Sequence, residues 1–231
     1  MDIIRFMKEK RIDAWLSNLG YCTRKEAKKL LKMYEVCIDG KRVYNPSNKA
    51  LHGQITIEGE ELDPETITLI MNKPKGVICS HKDDGKLIYS LLPERFLLRT
   101  PKISTIGRLD RDTSGIILIT DDGEFNHKLT SPKNDIVKVY EVELAHPLKG
   151  NENEIFESGT LMLNGEEKPL LPAKMKIITE TKVHLEIVEG RYHQVKRMFG
   201  AVGNRVVGLH RTKFGEYELD GLEEGEFLLI D

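Results

Sequence analysis

Apolar positions in the first fifty residues recur at helical spacing and then give way to alternation. "RIDAWLSNLG" places Ile12, Trp15, Leu16 and Leu19 on one face of a helix, with Gly20 as its C-terminus. "TRKEAKKLLKMYE" opens with Thr23 as N-cap and Glu26 three residues later, the spacing of a capping box. Its apolar stripe is Ala27, Leu30, Leu31 and Tyr34. "VCIDGKRVY" then sets Asp39-Gly40 between two β-prone stretches, which predicts a hairpin. One further strand is expected in "QITIEGEELDPETITL", where the polar, Pro-containing residues 63–66 suggest a boundary between domains 1–64 and 65–231.

Beyond the boundary the period shortens to that of strands. "ITLIMNKPKGVICS" reads as strand, turn, strand, and "GIILIT" as a buried strand. "DDGEFNHKL" starts a helix capped by Asp121 or Asp122. "IVKVYEVEL" is one strand, and "AKMKIITETKVHLEIVEG" two, the second with Val183, Leu185 and Ile187 on one face. "HQVKRMFGAVGN" places Val195, Met198, Phe199 and Val202 at i, i+3, i+4 and i+7, an amphipathic helix ending near Gly203. Strands outnumber helices and hairpin-like connections dominate, so the expected fold class is α+β with a largely antiparallel sheet.

Composition fits that picture, with 39% hydrophobic and 31% charged residues in 231. No apolar run approaches the roughly 18 residues of a membrane helix. "MDIIRFMKEK" has charges scattered through it and does not read as a secretory signal. Cys22, Cys37 and Cys79 lie far apart without a C-x-x-C pair, as expected for reduced thiols in a cytoplasmic protein. The histidines show no metal-ligand spacing. Charge changes the picture more. Residues 1–50 carry a balance of +6 and the remainder −8. A basic head on an acidic body points to a polyanionic partner, nucleic acid first, against the alternative of a merely solvated charged helix.

The densest chemistry lies in "IGRLDRDTSG", where Arg108, Asp110, Arg111 and Asp112 crowd a Gly-bounded loop before the apolar "IILIT". Read alone, the loop is a charged turn whose arginines neutralise its own carboxylates. Asp110 and Asp112 as a glycosidase acid and base is a weaker reading, because the antiparallel sheet, the basic head and the lack of a sugar-stacking aromatic cluster oppose it.

The head, "RIDAWLSNLGYCTRKEAKKLLKMYEVCIDGKRV", resembles the small S-four-like RNA-binding module of a small-subunit ribosomal protein and several RNA-modifying enzymes. That resemblance implies that Arg11, Arg24, Lys25 and Lys28 face RNA phosphates. "MNKPKGVICS", "GRLDRDTSGIILITDDG", "HKLTSPKNDIVKVYEVEL" and "EGRYHQVKRMFGAVGNRVVGLHR", in this order, resemble the RsuA type of pseudouridine synthase, which modifies small-subunit (16S) ribosomal RNA and also begins with such a head. The implied roles follow the motifs. Asp110 would be the catalytic carboxylate, Lys196 its partner cation, and Tyr140 the ring that stacks on the target base. Asp112 would be structural, and Arg108 would fill the gap left by the flipped uridine. By periodicity alone Lys196 would be a solvated helix residue and Tyr140 a sheet-packing one.

Arg191 and His193 are expected on the RNA-facing rim and Lys73 and Lys75 at phosphates, each set against a plain surface role. A cluster of Arg108, Arg111, Arg191 and Arg197 is expected to make the cleft of the acidic body attractive to RNA. The implied activity is isomerisation of one uridine by a monomer, on ribosomal RNA or an assembly intermediate, without metal or organic cofactor and without a membrane. A large-subunit synthase is the alternative within the same chemistry. A non-catalytic RNA-binding or ribosome-assembly factor is the alternative outside it.

Overall fold

A computed structural model describes residues 8–230, so most of the N-terminal stretch read as lacking a secretory signal lies outside the described residues. Two compact units emerge, one from residues up to 67 together with 92–104, the other from residues 68–91 and 105 onward.

In the first unit, helix α1 (Ile12–Asn18) buries Ile12, Trp15 and Leu16. Leu19 joins them in the core just past its end. The Trp15 indole N–H donates to the Ala50 carbonyl at 3.0 Å. Gly20 follows at φ +84°, and a Cβ there would collide with the backbone of Arg95. Helix α2 (Ala27–Met33) is preceded by half of the expected capping box: the Glu26 carboxylate accepts from the Thr23 backbone N–H at 3.0 Å and from its hydroxyl at 2.6 Å. Ala27 and Leu31 are buried, but Tyr34 is exposed, because the helix stops at Met33 and Tyr34 is extended.

Strands β1 (Val36–Ile38) and β2 (Lys41–Arg42) form the hairpin, with Asp39 and Gly40 both at positive φ as its tight turn requires. A second hairpin joins β3 (Ile55–Ile57) to β4 (Glu60–Glu61) through Glu58 and Gly59, also at positive φ, where one strand was expected. Residues 92–104 add the short helix Glu94–Leu97. Arg95 there pairs with Asp63 at 2.8 Å, and Arg99 donates to the carbonyls of Pro64 and Glu65.

The second unit is built on one sheet. The seven strands along its main path are β5 (Thr68–Lys73), β6 (Ser114–Thr120), β7 (Lys138–Leu144), β8 (Lys174–Thr179), β9 (Lys182–Ile187), β10 (Val206–Phe214) and β11 (Phe227–Ile230). Their order is β8-β9-β7-β10-β6-β5-β11. Every pairing along this path is antiparallel except β10 with β6, where Arg211 lies opposite Gly115. Every residue of β6 is buried, as its continuous apolar run foretells. Gly115 sits at φ +107°, and any Cβ there would strike the Arg211 backbone.

The second strand expected in "GVICS" does not form. Val77 and Cys79 are buried, but the segment makes only an isolated bridge from Ile78 to Leu87. The Gly76 N–H bonds to the Arg111 carbonyl at 2.7 Å, which draws this segment under the 107–113 loop instead of into the sheet. Helix α3 (Gly123–Thr130) takes Asp122 as its cap, through bonds from the N–H groups of Glu124 and Phe125. Helix α4 (Gln194–Ala201) buries Val195, Met198 and Phe199, with Lys196 on the margin of that face. Among the described residues no helix is long and apolar enough to cross a membrane.

Candidate active site

The 107–113 loop is held from beneath by a lysine. Lys73, at the end of β5, is fully buried and donates to the carbonyls of Thr113 at 2.7 Å, Asp110 at 3.1 Å and Pro74 at 3.1 Å. Burial pushes its ammonium pKa down. The expectation that Lys73 meets a phosphate is therefore corrected: its ammonium is spent on loop carbonyls. Lys75, two residues on, is exposed.

With the loop fixed, the Asp110 side chain meets α4. Lys196 donates to Asp110 Oδ2 at 2.8 Å and to Asp112 Oδ1 at 2.6 Å. His193 Nε2 lies 3.4 Å from Asp110 Oδ1, so both oxygens of that carboxylate face a basic group. Burial alone would lower the Lys196 pKa, but its bonds to the two carboxylates outweigh burial and raise it. Asp112 is correspondingly held below the ordinary carboxylate range, first by the hydrogen bond from Lys196. His193 adopts φ 49°, and its ring stacks on Tyr192 at 3.9 Å.

Tyr140, buried in the middle of β7, lines two adjoining clefts. The smaller, about 90 Å³, contains Asp110, Lys196 and His193 with apolar walls from Ile187, Val195 and Leu209. The larger, about 450 Å³, contains Lys138, Arg211 and Phe214. Arg108 and Arg191 line both. A carboxylate fixed by a lysine, beside an aromatic face and a small hollow with both polar and apolar walls, suits chemistry on a planar base.

Residues 67–201 match the family described as RNA pseudouridylate synthase, and residues 10–55 match the S4 domain. The chain belongs to the RNA pseudouridylate synthase family. It is 42% identical over 222 residues to the ribosomal small subunit pseudouridine synthase A of Pasteurella multocida (strain Pm70), covering 94% of each chain. The corresponding protein of Escherichia coli (strain K12) is 38% identical over 222 residues, again with 94% of each covered. A solved structure described as a pseudouridylate synthase superposes with a TM-score of 0.68 at 40% identity, over 96% of each chain. The chain is thus an intramolecular isomerase with an RNA-binding S4 head.

Within the synthase, the remaining expected residues fall into two groups. Arg24, Lys25 and Lys28 are exposed on the head and make no ion pair among the described residues, and Arg108 is exposed at the mouth of both clefts. Arg11 and Arg191 are engaged by the protein itself. Arg11 forms a two-point pair with Asp13 at 2.6 and 3.0 Å. Arg191 donates to Glu189 at 3.0 Å, to the carbonyls of Lys168 and Pro169, and to Glu166 at 3.4 Å.

Lys138 and Arg211 were not singled out from the sequence. Lys138 stands two residues before Tyr140 on its strand, and Arg211 lies directly opposite Tyr140 on β10. The i, i+2 spacing from Tyr140 was the available signal for Lys138. For Arg211, only the strand pairing reveals it. Among the described residues no group of three His, Cys, Asp or Glu side chains is placed to hold a metal ion.

Proposed function

We propose that this synthase converts one uridine of small-subunit ribosomal RNA to pseudouridine, with Asp110 as its catalytic carboxylate. The observation that carries the reading is the Asp110–Lys196 contact of 2.8 Å at the edge of the cleft that Tyr140 lines. The substrate follows from the relatives, whose names specify the small subunit.

The reaction breaks the bond from uracil N1 to ribose C1′, turns the base and joins C5 to C1′, with the C5 proton released to water and a proton taken up at N1. A stacked uridine exposes none of these atoms, so it must be flipped out, at a cost of a few kcal/mol. Arg108, exposed at the mouth of both clefts, fills the space it leaves. The Tyr140 ring stacks on the base, an interaction worth about 1–3 kcal/mol. Asp110 acts on the flipped nucleotide while Lys196 holds its charge in place. His193, against the other oxygen of Asp110, touches the same nucleotide. Asp112 shares Lys196 and helps hold its ammonium beside Asp110.

Residues 1–64 anchor the RNA, through the phosphates near Arg24, Lys25, Lys28 and the Asp13-paired Arg11, and residues 65–231 carry the chemistry. Arg191 serves the RNA indirectly, by fixing the segment that bears His193. One chain supplies every member of the site, which supports action as a monomer. Its free cysteines and its ribosomal substrate, whether bare RNA or an assembly intermediate, support a cytoplasmic setting.

Release of tritium from RNA labelled at uracil C5 tests the reading, with small- and large-subunit RNA compared. Release from the small-subunit RNA is expected, and release only from the large-subunit RNA would overturn the substrate. Asp110→Asn should bind RNA as wild type does yet form no product. Full turnover in that variant would refute the role of Asp110.

A further inference from the structure

The larger cleft beyond Tyr140 holds two cations that the isomerisation leaves without a task. Arg211 is only 2% exposed. Its Nε donates to the Ile116 carbonyl at 2.8 Å and its plane lies 4.8 Å from the Phe214 ring, yet its buried Nη2 has no acceptor. Lys138 is half-buried beside it and donates to the carbonyls of Ile136 at 2.6 Å and Val188 at 2.9 Å, which leaves one N–H of the ammonium unassigned. Neither makes an ion pair among the described residues. Two carboxylates line this cleft: Glu189 is occupied by Arg191, Gln194 and the Leu171 N–H, and Asp135 makes no ion pair with Lys138 or Arg211. Buried donors without acceptors are costly, and two adjacent cations without an ion-pair partner more so.

The cleft also has a place relative to the chemistry. Tyr140 separates it from the smaller cleft with Asp110, and it has five times that volume, more than a flipped base needs. A flipped nucleotide stays joined to the chain on both sides, so a flanking phosphate must lie within one nucleotide of Tyr140. We propose that Lys138 and Arg211 form a subsite for a backbone phosphodiester of the substrate RNA next to the target uridine. The proposal rests on the RNA-modifying reading above, and it assigns the phosphate that registers the strand on the Tyr140 platform. A phosphodiester supplies the two acceptors these cations lack, in charge-assisted bonds.

The subsite has a pH signature. Lys138 is drawn down to about 8, first by burial and then by Arg211, while Asp135 and Glu189 oppose that shift. Arg108, Arg191, Tyr140 and Phe214 also line this cleft, and arginine side chains do not deprotonate in proteins. The ammonium is therefore charged below pH 8 and loses its proton above it, so RNA affinity should fall as pH rises through that value.

The test measures the dissociation constant of the full chain for a small-subunit RNA fragment containing the target uridine. Phosphates flanking that uridine are replaced one at a time by uncharged methylphosphonate. Lys138→Met should weaken binding about tenfold, the scale of one lost charge-assisted bond. One methylphosphonate should weaken wild type by a similar factor and have no further effect on the variant. Lys138→Arg should keep the affinity and remove the pH step. Equal losses in wild type and Lys138→Met at every replaced phosphate would overturn the proposal. So would a wild-type affinity that stays flat from pH 7 to 9.5, a measurement that needs no variant. Tritium release by wild type from the same RNA reports on the isomerase reading separately.

Discussion

Replacing Lys73 by Met isolates the residue that positions the catalytic loop without touching the site's surface. Lys73 is wholly buried and contacts three carbonyls, those of Pro74, Asp110 and Thr113. Burying an ammonium costs several kcal/mol, and its hydrogen bonds offset that cost more than they add net stability. Met removes both sides of this balance and leaves the carbonyls bare. Pro74 and Asp110 are half-buried, so their carbonyls can regain water. Thr113 is 1% exposed, and its carbonyl cannot do so easily. One buried unpaired carbonyl costs about 1–3 kcal/mol, so the expected destabilisation is about 2 kcal/mol.

The functional effect should exceed the thermodynamic one. Without Lys73 the loop loses the bonds to its Asp110 and Thr113 carbonyls while the Gly76 N–H to Arg111 remains, and Asp110 loses its register against Lys196. A displacement near 1 Å in a positioned catalytic group can cost about 100-fold in rate. Urea denaturation measures the first effect and tritium release at saturating RNA the second, on protein shown to be folded. Stability within about 0.5 kcal/mol of wild type, together with undiminished turnover, would refute the positioning argument.

Lys196→Met should lower turnover by about 100-fold or more, since it removes the preorganised cation at Asp110, and near-normal rates would reassign Lys196 to the surface. Neutralising Lys25 and Lys28 together should weaken RNA binding and flatten its salt dependence by roughly one unit of slope per residue, and an unchanged slope would show that the head does not meet phosphate there. Glu152 supplies a pH test of stability. It is 1% exposed and accepts backbone N–H bonds from Lys149 at 2.8 Å and Gly150 at 2.9 Å. Burial would raise its pKa, but those bonds prevail and hold it below 4.5. Its contribution is therefore present above the unfolded value and lost as pH falls through the folded one. The stability gap between wild type and Glu152→Gln, measured by urea denaturation, should shrink as acid is added below pH 4.5, and a gap that stays constant would refute the assignment.

What was legible in the sequence was mostly local. The i, i+3, i+4 stripe of α1, the Asp-Gly turn and the uninterrupted "GIILIT" each have a short-range physical cause, and each forms as read. The failures have tertiary causes. "GVICS" is as apolar as a strand, but the bond from Gly76 to Arg111 commits it to supporting a loop. Tyr34 continues a helical stripe on paper, yet the helix ends one residue too early to bury it. In the site, Asp110, Tyr140 and Lys196 were suggested by motif resemblance, whereas periodicity alone favoured bland roles for the latter two. Lys73 and Arg211 stand out only through burial and strand register, which no local pattern encodes, and for Lys138 the i, i+2 spacing from Tyr140 was the one local sign.

Register also answers how a body of charge −8 can attract RNA. Two members of the expected cluster of Arg108, Arg111, Arg191 and Arg197 do not supply the field. Arg197 is bound to Glu166 at 2.8 Å and to the carbonyls of Asn164 and Tyr192, and Arg191 shares the same glutamate. These two arginines knit residues 164–169 to the start of α4, and their charge is balanced on the spot. Among the described residues, Arg108 at the mouth, Arg111 in the same loop, and Lys138 with Arg211 inside the larger cleft make no ion pair. Potential at a cleft depends on which charges lack a partner there, and low-dielectric walls concentrate it. The acidic residues elsewhere on the body then set the net charge without cancelling the field where the RNA strand passes Tyr140. On this view, adding salt should weaken the cleft's contribution to binding less than the head's, because Arg211 is buried and Lys138 half-buried while Lys25 and Lys28 are exposed to screening. The salt slope of wild type compared with Lys138→Met and with the Lys25 and Lys28 double variant measures that difference directly. Equal sensitivity to salt in the two contributions would place the attraction at the surface after all.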